Sequence, residues 1–157
     1  MFDLEEEKIK GGTRTLSEFT ESIEFKDVSF KYPSRNTMVL NDISVLLKKS
    51  KILAIVGMSG SGKTTLVDLL FRFHEPCSGK ILIDGVDIKD YTLNSLRDSL
   101  ALVSQETFLF NDTIKENIAY GKLGASQEDI IHASKAAHVD SFVCELDEGY
   151  DTIIGER

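Results

Sequence analysis

No stretch of this chain approaches the roughly 20 consecutive apolar residues that a bilayer-spanning helix needs, and its most apolar short run is Ile52 to Val56. Any membrane role is therefore expected to come through a partner. Basic residues are in deficit, 18 Lys and Arg against 26 Asp and Glu, giving a formal charge of −8. Such a chain repels a polyanion unless cations cluster locally, so nucleic acid is not the expected partner. Cysteine is scarce: Cys77 and Cys144 are far apart and neither sits in a C-x-x-C pair. Neither a disulfide framework nor a zinc site is suggested, and a reduced, cytosolic compartment fits best. The opening Met1-Phe2-Asp3-Leu4-Glu5-Glu6-Glu7 is acidic where a signal peptide needs a basic segment followed by an apolar one. Internal repeats are also lacking.

What is present is 157 residues, 41% hydrophobic and 28% charged, the range of one soluble globular domain. Residues 1–21 mix charge with Gly11-Gly12 and show no sustained period, which predicts a linker or extended arm, with the folded part starting near Ser22. Ile23 to Phe25 and Val28 to Tyr32 alternate as strands do, and Pro33 to Asn36 supply a turn. Val39 to Leu47 reads as a further strand, and Ile52 to Val56 as a short apolar strand buried on both faces of a parallel sheet. Lys63 to Phe73 carries Leu66, Leu69, Leu70 and Phe73 on one helical face. Lys80 to Asp84 alternates before a Gly85 turn, Thr92 to Leu100 reads as a helix, and Ala101 to Ser104 as a short strand. Asp112 is expected to cap a helix from Thr113 to Tyr120, and Ser126 to Asp129 to form a capping box opening a helix through about His138.

The segment with the most specific chemistry is Gly57-Met58-Ser59-Gly60-Ser61-Gly62-Lys63-Thr64, which matches G-x-x-x-x-G-K-[ST] and is followed by Thr65. Gly57, Gly60 and Gly62 permit the backbone conformations that turn successive N–H groups into one concavity around phosphates. Lys63 can reach the β and γ phosphates as a point charge, Thr64 can offer a hydroxyl to Mg²⁺, and the start of the Lys63 helix adds its positive dipole end. A Gly/Ser-rich connector would show the same composition, but not an apolar run immediately before and an amphipathic helix immediately after. The expected ATP-binding residues here are Gly57, Ser59, Gly60, Ser61, Gly62, Lys63, Thr64 and Thr65. The motif alone does not choose between ATP and GTP.

With these residues in place, the chain from Ile23 to Arg157 resembles the nucleotide-binding domain of ATP-binding cassette transporters, in particular exporters of the lipid A and multidrug kind. The resemblance implies an α/β P-loop NTPase fold with an N-terminal antiparallel part and a parallel sheet with helices. Residues 22–157 would be the N-terminal part of that domain, and residues 1–21 an arm from a preceding transmembrane domain. Phe30-Lys31-Tyr32-Pro33 is similar to the family's A-loop, which makes Tyr32 the ring that stacks on adenine. Leu102-Val103-Ser104-Gln105-Glu106 resembles the Q-loop, placing Gln105 with Thr64 at Mg²⁺. Thr107 to Ile114 is similar to the segment that receives the membrane domain, with Phe108 and Phe110 as its aromatics. Glu148 to Arg157 looks like the approach to the signature motif, before which the chain stops. Two small departures are the absence of glycine in Lys49-Ser50-Lys51 and Asp147 in place of a frequent proline. His74, His132 and His138 have no ligand-like spacing.

The resemblance further implies ATP and Mg²⁺ as cofactors, and as partners an exporter's transmembrane domain and a second nucleotide-binding domain, identical or different. The location implied is the cytoplasmic face of a membrane. No catalytic residue is assigned, because the family's Walker B carboxylates are not in the chain, so binding with little or no turnover is expected. Two alternatives are a non-catalytic nucleotide-binding remnant and a soluble cassette ATPase outside transport.

Overall fold

A computed structural model describes residues 9–105, 108–122 and 124–155. These divide into two compact units, with the boundary between Leu102 and Val103.

The first unit is built on an antiparallel sheet in the order β2-β1-β3-β4, formed by β1 (Ser22–Phe30), β2 (Leu40–Lys48), β3 (Ser78–Ile83) and β4 (Val86–Asp87). The two runs read separately around Lys26 and Asp27 are one strand with a kink: the register against both neighbours shifts between Phe25 and Ser29, and Asp27 has φ 50°. This is a β-bulge, which bends a strand and re-aims its side chains. It lets Phe25, Val28 and Phe30 all reach the core, at 6%, 0% and 3% exposure. Gly79 of β3 sits against the bulge, with the Asp27 carbonyl where a Cβ would be. The β3–β4 turn is Asp84-Gly85, both at positive φ (51° and 76°), as a two-residue hairpin turn matched to strand twist requires.

Helix α1 (Lys63–Leu70) packs Leu66 and Leu69 into the same core. It ends before Phe73, which is instead half-exposed, stacked on Phe71 and covered by the Arg97 guanidinium. The turn after α1 is fixed by two arginines. Buried Arg72 donates to the Lys10 carbonyl and to Glu75, and Arg97 donates to the carbonyls of Phe71 and Arg72. Helix α2 (Leu93–Asp98) begins one residue later than expected, with Thr92 as its cap accepting from the Ser95 N–H.

Ile52 to Val56 and Ala101 to Ser104 do not form the strands expected of them. A strand exists only by pairing, and the four-stranded sheet of the first unit includes neither segment. Ile52 and Val56 are 98% and 89% exposed. Leu53 and Ile55 line, with Ile23, Phe25, Val45, Leu66 and others, a half-open apolar pocket of about 160 Å³.

The packed part also begins ahead of Ser22. Gly12 N–H and Arg14 N–H donate to the carbonyls of Tyr91 and Asp90, and Thr92 N–H donates back to Arg14. Leu16 is buried in the core. The arm is docked along the fold, and its last residues are held by one side chain. The Asp84 carboxylate accepts from the N–H groups of Thr20, Glu21 and Ser22 and from the Thr20 hydroxyl, all at 2.7–2.9 Å. Burial alone would raise its pKa, but these donors outweigh that and bring it from 3.8 to about 2. A depressed carboxylate pKa adds stability that is fully present above pH 3.8 and lost as pH falls toward 2. Asp84→Asn is therefore expected to lower the urea midpoint at pH 7 and to flatten its decline between pH 4 and about 2; equal acid profiles for the two proteins would refute this role.

The second unit contains α3 (Ile114–Ala119), α4 (Gln127–Ala136), α5 (Asp140–Val143) and a short pair of strands, β5 (Asp112–Thr113) and β6 (Ile153–Ile154). The Ser126/Asp129 capping box forms as expected. The α3 cap is Thr113 rather than Asp112: its hydroxyl accepts from Glu116 N–H, while Asp112 accepts from Thr113 N–H. Threonine caps through the same geometry, and the neighbouring acid takes the donor one position earlier.

Candidate functional site

The loop from Gly57 to Gly62 leads directly into α1. Gly60 and Gly62 have φ 78° and 92°, a region that side-chain-bearing residues rarely occupy. Gly62 is also packed: a Cβ there would lie 2.8 Å from the Leu40 side chain and 3.1 Å from the Val39 carbonyl. The start of β2 and the start of α1 thus meet at a residue that only glycine satisfies.

Gly62 is the N-cap of α1, no side chain caps that end, and no acidic residue lies in the first turn. The first N–H groups of a helix have no partner within the helix, and together with the dipole they make an anion site when left uncovered. Ser59, Gly60, Ser61 and Thr64 are exposed around it. Lys63 Nζ folds over the loop, donating to the carbonyls of Gly57 at 3.0 Å and Met58 at 2.8 Å. A cation is held where the loop turns, on bonds that a phosphate can replace.

Tyr32 comes to the same helix. Its hydroxyl shares a hydrogen bond of 3.0 Å with that of Thr65, a buried residue of the first turn. Its ring stands nearly perpendicular to Phe30 (4.9 Å, 82°) and to His74 (5.2 Å, 88°). From the sequence, Tyr32 is expected to stack on adenine by resemblance to the A-loop, and His74 has no ligand-like spacing; its contact with Tyr32, between residues far apart in the chain, leaves no local signal.

The family whose profile matches residues 40–153 is described as ABC transporter. The chain belongs to this family. An ATP-dependent lipid A-core flippase of Syntrophus aciditrophicus is 49% identical over 141 residues, covering 90% of this chain and 23% of the flippase. A putative multidrug export ATP-binding/permease protein of Bacillus subtilis is 49% identical over 135 residues, 86% of this chain and 23% of that protein. Among solved structures, a bacterial Atm1-family ABC exporter with ATP bound superposes with a TM-score of 0.82 at 45% identity, over 91% of this chain and 25% of the exporter. The chain thus spans about a quarter of the length of the relatives it matches.

The fold is accordingly that of an ABC ATPase domain, and the relatives are exporters, as the motifs implied. Gln105 is exposed in a bend of the second unit, and Glu106 and Thr107 of the expected Q-loop segment lie outside the described residues. So do residues 1–8 of the arm, and Glu156 and Arg157 at the approach to the signature motif. In the second unit Phe110 packs against Phe108 at 5.1 Å and Tyr120 at 4.4 Å. Asn117 holds this loop by accepting from the Phe110 N–H and donating to its carbonyl. Phe108 and Tyr120 remain 76% and 66% exposed.

Among the described residues no three His, Cys, Asp or Glu side chains cluster as a metal site, and no helix is long and apolar enough to cross a membrane. The Thr64 hydroxyl is exposed in the first turn of α1.

Proposed function

We propose that this chain binds Mg-ATP and supplies the nucleotide-binding part of an ATP-driven exporter. The observation that carries the reading is the uncapped start of α1, entered through Gly60 and Gly62 in the left-handed region, with the Lys63 ammonium lying on the loop carbonyls. The backbone from Gly57 to Thr65, with Ser59 and Ser61, would wrap the phosphates, and Tyr32 would stack on adenine. Thr64 and Gln105 would hold Mg²⁺, which neutralises phosphate charge when bound.

In this reading the exposed Phe108, Phe110 and Tyr120 group receives an exporter's transmembrane domain at the cytoplasmic face of the membrane, and residues 1–21 connect toward it. A second nucleotide-binding domain completes the ATP site. The relatives are named for different cargoes, lipid A-core in one and multiple drugs in another, and in this reading the cargo is set by the transmembrane domain. The exporter identity of the relatives favours this over a soluble cassette ATPase.

Titration calorimetry on the purified chain tests the nucleotide reading. Saturable 1:1 binding of Mg-ATP is expected, with no phosphate release above background, because positioning and charge stabilisation of phosphoryl transfer rely on carboxylates, and none lies in the first turn of α1. Absence of saturable binding would sink the proposal, and turnover abolished by a P-loop substitution would overturn its second half.

A further inference from the structure

Tyr32 is tied both to α1 and to the segment that follows it. Its hydroxyl meets Thr65 in the first turn, and its ring meets His74, four residues beyond the last residue of the helix, Leu70. Phe30 completes the arrangement: it lies 5.5 Å from His74 with the planes only 33° apart, so Tyr32 stands across two rings that are roughly parallel to each other. Perpendicular aromatic contacts at these distances are the favoured geometry of ring pairs. Phe30 is a core residue at 3% exposure, so its packing serves the fold as well as Tyr32. His74 is half-buried, in the segment after α1, and no hydrogen bond of its side chain is among those described.

We propose that His74 is a positioning residue for nucleotide binding: its ring fixes the orientation of Tyr32 relative to the phosphate-binding end of α1. This rests on the reading of Tyr32 as the base-stacking residue. The physical content is registration. A base stacked on Tyr32 and a triphosphate wrapped at Gly57 to Thr65 belong to one molecule of fixed length, so both contacts form at full strength only when the ring is held at the right distance and tilt from the helix. The Thr65 bond sets the distance of the hydroxyl but leaves the ring free to rotate about it; a perpendicular contact with His74 removes that rotation. A ring that must first be ordered binds more weakly than one already in place.

The test compares Mg-ATP with Mg-tripolyphosphate, which carries the phosphates without the base, by calorimetry on the full 157-residue chain. The parent chain is expected to prefer ATP, and Tyr32→Ala to lose that preference. His74→Ala is expected to weaken ATP by about 3- to 10-fold with tripolyphosphate unchanged, and His74→Phe, which keeps a ring at the position, to restore ATP binding. His74→Leu, of similar bulk and no aromaticity, gives the same reading if the alanine variant does not fold. An unchanged ratio of ATP to tripolyphosphate affinity in the non-aromatic variants overturns the proposal, as does an equal loss for both ligands, which would mark damage to the loop. A parent chain that does not distinguish the two ligands removes the base-stacking reading itself, and the proposal with it.

Discussion

Replacing Lys63 with alanine is expected to weaken Mg-ATP binding by about 10- to 100-fold while shifting the melting temperature by less than about 2 °C. The two expectations have different sources. In the unliganded protein Lys63 spends its charge on two backbone carbonyls, at 3.0 and 2.8 Å, and both bonds are exposed to solvent. Water can take over such bonds, so their loss costs the fold little. Against a triphosphate the same ammonium faces full anionic charge, and charge-assisted bonds are roughly twice as strong as neutral ones. The exchange of carbonyl for phosphate is therefore favourable, and only the bound state loses it in the variant. Calorimetry of parent and variant, with thermal unfolding alongside, separates the effects. A melting shift as large as the loss in affinity would mean that Lys63 holds the loop rather than the ligand.

The legibility of this site follows from how it is made. The P-loop could be read from the chain because its working parts are consecutive: glycines, lysine and hydroxyls at fixed spacing, with the helix beginning inside the motif. The cap at Ser126 was readable for the same reason, since a cap acts on an N–H three residues on, whereas Thr92, expected as the first helical residue, is the cap of α2. The clasp around Tyr32 was not readable in full. Phe30 is two residues away, but Thr65 and His74 arrive only when β1 and α1 pack on one core. The same distinction explains the misread strands. Ile52 to Val56 has the composition of a buried strand, yet strand formation depends on what lies beside it, and its side chains are exposed where no ladder forms. Asp27 shows the opposite case. Nothing in its neighbours announces a positive φ, but the pairing of β1 with both β2 and β3 requires the chain to bulge there.

Gly79→Ala is expected to destabilise the first unit by about 3–5 kcal/mol, a large part of the roughly 5–15 kcal/mol typical of a whole domain. Two costs combine. The residue has φ 80°, where a Cβ costs about 1–2 kcal/mol. The Cβ would also fall 2.3 Å from the Asp27 carbonyl oxygen, 2.4 Å from that of Lys26 and 2.5 Å from the Asp27 carbonyl carbon. These are backbone atoms of the bulge, with no flexible side chain to swing aside. Relief requires β1 and β3 to separate beside the pairs Lys26–Lys80 and Ser29–Ser78, which loosens the strand that presents Phe30 and Tyr32. Gly85→Ala is the control: it has nearly the same φ, 76°, but nothing within 4 Å of the added carbon, so it should lose only the conformational term, about 1–2 kcal/mol. Urea unfolding of the two variants isolates the close approach, because the dihedral cost is shared. If both lose the same stability, β3 has room to move away from the bulge, and the glycine at 79 serves its dihedral alone. If Gly79→Ala loses several times more, the bulge and its glycine are one structural device.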